Sequence, residues 1–442
     1  MALSPQRDLR LDFFRGIAMI IILIAHVPGN WWTRYIPARF GFSDATEMFV
    51  FCSGFAAALA FGATYQRAGF GLGTVRVGYR VWQVYVAHLG LFFAVATICL
   101  LGNAFVAPIT GRDYVTMLNL GYFFNHTDEA LLGLFTLTYV PNYFDILPMY
   151  IGALCLIPVV MMLKSVHVGW VVGFCAAVYF ANWWWDGGIP AHPRHDHIEW
   201  FFNPLGWQFL FFTGFCFGAG WIAPPPQRRW LAALCLGIVV AAIPVSFWRI
   251  LNEYEVLREV RSFLRPAFGK TDFGPLRWLH FMALAYLALW LIQGRERLLH
   301  RQPARLIVTV GQQSLAIFLF SMGFSRIMGM GLNLLEHYLI TAMAASVQGM
   351  ALALEPDFFA GRLTVVIDGL AQLGVDRSAY LDYYLLGLGI INILGIATLI
   401  AVAHGVAWIK SVPWKRPAPS HPVTPRAGEM GAKPGVVGVS GR

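Results

Sequence analysis

Apolar positions along this chain gather into stretches of about 20 residues, not into the ~10-residue alternating segments of a membrane strand. Ten such stretches stand out, near 11–32, 44–64, 80–102, 144–164, 168–185, 203–222, 230–249, 276–294, 306–328 and 383–409. The pattern predicts an all-α polytopic membrane protein, a bundle of about ten transmembrane helices with long extracytoplasmic loops. Those loops fall at 103–143, 186–202, 250–275 and 329–382. Within them, 129–140 (EALLGLFTLTYV) is too short to span and reads as re-entrant or interfacial, and 336–354 reads as an amphipathic helix on the surface. No cleavable secretory signal is expected ahead of the first stretch. The chain divides into a membrane domain, 1–411, and a Pro- and Gly-rich cytoplasmic tail, 412–442, expected to be disordered.

Composition sharpens this. Charged residues make up 12% and hydrophobic ones 58%, where soluble domains carry roughly 25% charged. The net charge of +9 fits basic residues gathered at the cytoplasmic face better than a nucleic-acid partner, which is not expected. Short loops carrying Arg67, Arg76, Arg80, Lys164, Arg228, Arg229, Arg295, Arg297, Arg301 and Arg305 fall on one side, which places both termini in the cytoplasm. One loop runs against the rule: Arg258, Arg261, Arg265 and Lys270 fall outside. All six cysteines lie in apolar segments and read as buried free thiols.

Two ionisable residues sit inside the first stretch, Arg15 and His26. Eleven steps at ~100° bring both to within about 20° on one helix face, roughly 16 Å apart along the axis. Ionisable groups at that depth are expensive and mark function. With the amino terminus inside, Arg15 lies at the cytoplasmic end and His26 about three quarters of the way across. Asp44 and Glu47 enter the second helix at the depth of His26. Either offers a carboxylate to orient a general base, and either also suits a helix amino terminus. Arg76 and Arg80 share a face where the third stretch begins and, with Arg15, offer a basic mouth for phosphates. They also suit ordinary interfacial anchoring. Ser53, in Ser53-Gly54-Phe55, lacks a nucleophile elbow and reads first as a small packing residue. Asp145, Arg277, His280 and Ser314 stand at span edges as further polar candidates for the same cavity. The His192, His195, His197 run does not match a zinc spacing, so no metal is expected.

At RDLRLDFFRGIAMIIILIAH, SDATEMFVFCSGF, the Arg76/Arg80 entry, FDILPMY, PLRWLH and GQQSLAIF, the chain resembles the OpgC family over about residues 8–410. That family lies within the wider acyltransferase-3 superfamily. The resemblance implies a ten-helix inner-membrane O-acyltransferase. It moves an acyl group, succinyl in this family, from cytoplasmic acyl-CoA to a hydroxyl of a periplasmic glucan or other polysaccharide. It implies that Arg15 and His26 are the essential pair, with Ser53 in the family's Ser-Gly-Phe. Arg76 and Arg80 stand four apart, where much of the superfamily has three. No permanently bound cofactor is implied; acyl-CoA is the donor substrate, and membrane lipid and the glycan acceptor are the partners. The residues admit a general-base role for His26 or an acyl-histidine. They also admit two competing classes, a proton-coupled transporter or exporter of a polar solute or glycan, and a structural or signalling subunit.

Overall fold

The computed structural model describes residues 8–185, 188–195, 197–346 and 377–412. Helices dominate, and the described residues contain no strand, only a bridge between Pro190 and Glu199. The main helices are α1 (Leu9–His26), α2 (Ala45–Ala57), α3 (Ala63–Phe105), α4 (Thr127–Thr136), α5 (Ile146–Cys155), α6 (Ile157–Val166), α7 (Val168–Trp185) and α8 (Pro204–Gly218). They continue as α9 (Arg229–Ser246), α10 (Glu255–Phe268), α11 (Pro275–Ile292), α12 (Gln302–Gln312), α13 (Ser314–Ser346) and α14 (Arg377–Lys410).

Among the described residues, six helical segments are long and apolar enough to cross a membrane: Ala45–Phe105, Ile146–Val166, Arg229–Ser246, Pro275–Ile292, Ser314–Ala342 and Tyr380–Lys410. α3 shows the membrane pattern in its exposure. Leu72, Val75, Tyr79, Trp82, Val86, Phe93 and Leu100 are exposed along one stripe, while Val77, Val84, Leu91, Val95 and Cys99 are buried on the other. An exposed stripe that apolar suits hydrocarbon, not water.

Several predicted boundaries move, each for a local reason. α1 ends at His26, six residues before the predicted end of the first stretch, because Val27 turns extended ahead of Pro28 and Gly29 takes a left-handed φ of 76°. His26 is therefore the last residue of its helix. The second and third stretches are joined by helix, with a π turn at Ala58–Gly62 and a break at Gly69 (φ 78°, ψ 176°). Bonds from Arg76 to Thr64 and between Tyr65 and Thr74 (3.1 Å) tie the two arms beside that break. Pro158 opens α6 and splits the fourth stretch, since proline has no N–H to continue the ladder. The ninth stretch is broken at Gln313 into α12 and α13. The helix expected on the surface from 336 is, as far as Ser346, the continuation of α13. Glu336 there is buried against Arg112 at 2.7 Å. Among the cysteines Cys155 is exposed and the other five are buried; all six are free. The boundary drawn at 411/412 lies at the end of the description, and the tail from 413 falls outside the described residues.

The core surrounds α1, which packs against α2, α12 and α13, while α2 packs along α8. Glycines permit both approaches. A Cβ on Gly54 would lie 1.9 Å from the Phe211 carbonyl oxygen, and one on Gly214 2.2 Å from that of Phe51. Gly54→Ala is therefore expected to force α2 and α8 apart at a cost of about 1–3 kcal/mol. Gly62→Ala, with open space around it, is the matched control. Thermal unfolding in detergent checks this, and equal midpoints for the two variants refute it.

Candidate functional site

Close packing of α1 on α12 sets the Arg15 end of the site. A Cβ on Gly311 would fall 1.8 Å from the Asp12 carbonyl oxygen, and one on Gly16 2.0 Å from that of Ile307. The two backbones thus touch. The start of α13 follows directly, so the Arg15 guanidinium donates to the Ser314 hydroxyl, joining two predicted site residues. Ser53 is buried on α2 beside Gly54, the residue that meets α8.

At the other end of α1, His26 Nδ1 lies 2.7 Å from the Ile22 carbonyl oxygen, one turn back. A carbonyl only accepts, so Nδ1 carries the hydrogen and Nε2 keeps its lone pair. The imidazole meets the edge of Tyr143, with ring centroids 5.5 Å apart. Tyr143 has a φ of 77°, an outlier for a bulky side chain and the kind of strain that collects at functional sites. The buried Arg326 of α13 lies 4.8 Å over the Tyr143 ring and donates to the His26 carbonyl oxygen. The sequence reading missed both neighbours. Arg326 carries the signal that exposed Arg15, a guanidinium in an apolar run.

The expected pairing of His26 with Asp44 or Glu47 does not form. Asp44 caps α2, accepting from the Thr46 N–H at 2.7 Å, while Glu47 accepts from the Asp44 N–H at 2.6 Å, a complete capping box. Their remaining oxygens are taken by cations. Lys270 Nζ is 2.6 Å from Asp44, and Arg277 donates to Glu47 at 2.7 Å and 2.6 Å. Two permanent cations outcompete a neutral imidazole for two buried carboxylates. Lys270 lies against the Phe201 and Phe202 rings, 6.0 Å and 5.5 Å from their centroids. Lys270 figured in the sequence only as a topological exception.

His280 joins this cluster from α11. Its Nδ1 is 2.7 Å from the Ser43 hydroxyl, and its ring lies so close to Gly41 that a Cβ there would be 2.2 Å from Nε2. Asp145, buried two residues beyond Tyr143, accepts from the Phe201 N–H at 3.3 Å, and the Phe201 ring lies 6.0 Å from Lys270. Arg277, His280 and Ser43 thus gather around Asp44 and Glu47, and Asp145 reaches Lys270 of this cluster through Phe201. Arg76 and Arg80 stay apart from it, bonding Thr64 and Gln83 (3.2 Å) within their own segment. His192 packs tilted against Tyr122 and against His195, with ring centroids 4.2 Å and 4.6 Å apart, and His195 against His197 at 5.4 Å. Nearby, Arg194 and then Tyr122 hold the Glu129 carboxyl down to about 2. Among the described residues no group of His, Cys, Asp or Glu side chains forms a metal-holding set.

A cavity of about 290 Å³ opens beside the cluster, between the 38–44 turn and the segment from Ser246 to Arg277. Chemically, the arrangement offers a proton acceptor at His26 Nε2, a fixed cation at the same helix end in Arg326, and a basic chamber walled by the Asp44 cluster.

Comparison with known proteins agrees with the motifs. A family model described as OpgC protein matches residues 7–364, a span that holds every candidate residue named above. No curated protein and no solved structure matches the chain.

Proposed function

The chain belongs to the OpgC family, and on that premise we propose that it is an inner-membrane O-acyltransferase of the wider acyltransferase-3 superfamily. It moves a succinyl group from cytoplasmic acyl-CoA to a hydroxyl of a periplasmic glucan. The observation that carries this reading is the state of His26. Its Nδ1–H is held by the Ile22 carbonyl, so Nε2 is the base, and it stands on one unbroken helix with Arg15.

Ten crossings with both termini in the cytoplasm accommodate this chemistry. Ala45–Phe105 supplies two by folding back at Gly69, the other five apolar segments supply one each, and α1, α7 and α8 complete the set. Arg15 then faces the cytoplasmic side, with Arg76 and Arg80 as separate basic anchors for CoA phosphates. The pantetheine arm carries the thioester along the Arg15–His26 face.

The acceptor hydroxyl enters from outside and gives its proton to His26 Nε2 as its oxygen bonds to the thioester carbonyl carbon. Negative charge that develops on the carbonyl oxygen lies near the Arg326 guanidinium. The C–S bond then breaks, the CoA sulfur takes the proton back from His26, and ester and thiol leave. Asp44 and Glu47 hold the amino end of α2 in place beside His26 rather than relaying its proton.

The test uses membranes holding the full chain, succinyl-CoA labelled in the acyl group and a glucan acceptor. Label in an ester on the glucan, dependent on the protein, is the expected result. Glycan movement driven by a proton gradient with no labelled ester instead supports the transporter alternative.

A further inference from the structure

The outer chamber beside Asp44 has an unusual wall. Five cationic side chains line it, Arg39, Arg261, Arg265, Lys270 and Arg277, against one carboxylate, Asp44. Lys270 and Arg277 are matched by Asp44 and Glu47. Among the described residues, Arg39, Arg261 and Arg265 pair with no carboxylate. Arg39 donates to the Thr33 carbonyl and Arg261 to that of Val245. Arg261 and Arg265 stand one turn apart on α10, a like-charge placement that repels unless an anion lies between them. The enclosed Ser246 hydroxyl, on the same wall, has no hydrogen-bond partner among the described residues. A neutral ligand leaves these charges unmatched.

α10 suits a boundary position. Val256, Val260 and Phe263 form an exposed apolar stripe, while the half-buried Arg261 and the more exposed Arg265 line the chamber. A chain of contacts joins the chamber to His26: the imidazole meets Tyr143, Asp145 two residues on accepts from the Phe201 N–H, and the Phe201 ring lies 6.0 Å from Lys270 on the chamber wall.

We infer that this chamber is the binding site for the free carboxylate of the transferred acyl group, with Arg261 and Arg265 as its specificity-determining residues and Arg39 and Ser246 as supporting donors. The inference rests on the acyltransferase reading and assigns the residues that recognise its acyl group. A succinyl group carries its second carboxylate two methylenes beyond the reacting carbonyl, so a carbonyl held at His26 sends the carboxylate toward neighbouring cations. Guanidinium groups bind a carboxylate through paired N–H donors, which acetyl cannot exploit.

Two measurements test it. In membranes, the ratio of succinyl to acetyl transfer from the two acyl-CoA donors is expected to fall at least tenfold in Arg261→Gln and in Arg265→Gln. In detergent, the full chain titrated calorimetrically with free succinate is expected to bind it saturably, at least tenfold more weakly in Arg265→Gln. Arg258→Gln, whose guanidinium bonds the Asn252 carbonyl, serves as the control and is expected to bind like wild type. An unchanged transfer ratio in both variants overturns the assignment. So does the lack of saturable succinate binding, or binding equal in wild type and Arg265→Gln. Inorganic phosphate bound as tightly as succinate also overturns it, marking a phosphate or headgroup site instead. If wild type transfers neither acyl group, the acyltransferase reading falls, and the succinate titration still decides the chamber.

Discussion

Membranes carrying His26→Ala transfer label to glucan about 10²–10⁴-fold more slowly than wild type, the range expected when a general base is removed. The loss falls on kcat, because the imidazole acts as the acceptor oxygen attacks and not while the donor binds. His26→Gln is the sharper variant. A glutamine can still donate to the Ile22 carbonyl that His26 Nδ1 now bonds, but it has no basic nitrogen at the Nε2 position. A purely structural His26, holding the end of α1 where Val27 leaves the helix, predicts an active glutamine variant. Rates compared per folded protein therefore decide between the two. Full activity in His26→Gln would exclude the proposed mechanism.

Glu47→Ala has the largest expected effect on stability. The carboxylate is fully buried, takes two N–H donors from Arg277 and closes the capping box of α2 through the Asp44 N–H. Removing it leaves the guanidinium of Arg277 buried beside Asp44 at 3.6 Å, with its closer partner gone. Breaking a buried pair from one side costs about 3–5 kcal/mol, and an N-terminal cap adds about 1 kcal/mol. The thermal midpoint in detergent is expected to fall steeply. The double variant Glu47→Ala/Arg277→Leu is expected to recover much of the loss, since the second change removes the stranded charge. Simple addition of the two single losses would show that the pair is not coupled as the geometry states.

Much of the candidate site was legible before the fold. Arg15 and His26 were visible because a membrane makes ionisable residues conspicuous and a helix makes an eleven-residue spacing meaningful. Both residues do lie on one unbroken helix. Asp44 and Glu47 were visible both as cap and as partners for His26. The cap formed and the pairing did not, because Lys270 and Arg277, more than 220 residues away in sequence, reach the carboxylates. Arg326 carried the same signal as Arg15 within its apolar run, but its bond to His26 spans 300 residues. Ser53 was weighed first as a packing residue, and the α2–α8 contact around Gly54 shows why small residues are needed there.

The same division holds for the fold. Apolar runs determined that the chain is a helical membrane bundle, and their turn residues, Pro28-Gly29, Gly69 and Pro158, act through backbone conformation within a few residues. By itself, then, the sequence determined the helices, their lipid-facing stripes and the shared face of Arg15 and His26, because each follows from local periodicity. The tertiary structure alone decided which cation meets which carboxylate, that Arg326 reaches the His26 carbonyl, and that a loop whose arginines ran against the topology rule walls a chamber with Asp44. Those outcomes depend on contacts between elements hundreds of residues apart, where no spacing along the chain constrains the distance in space.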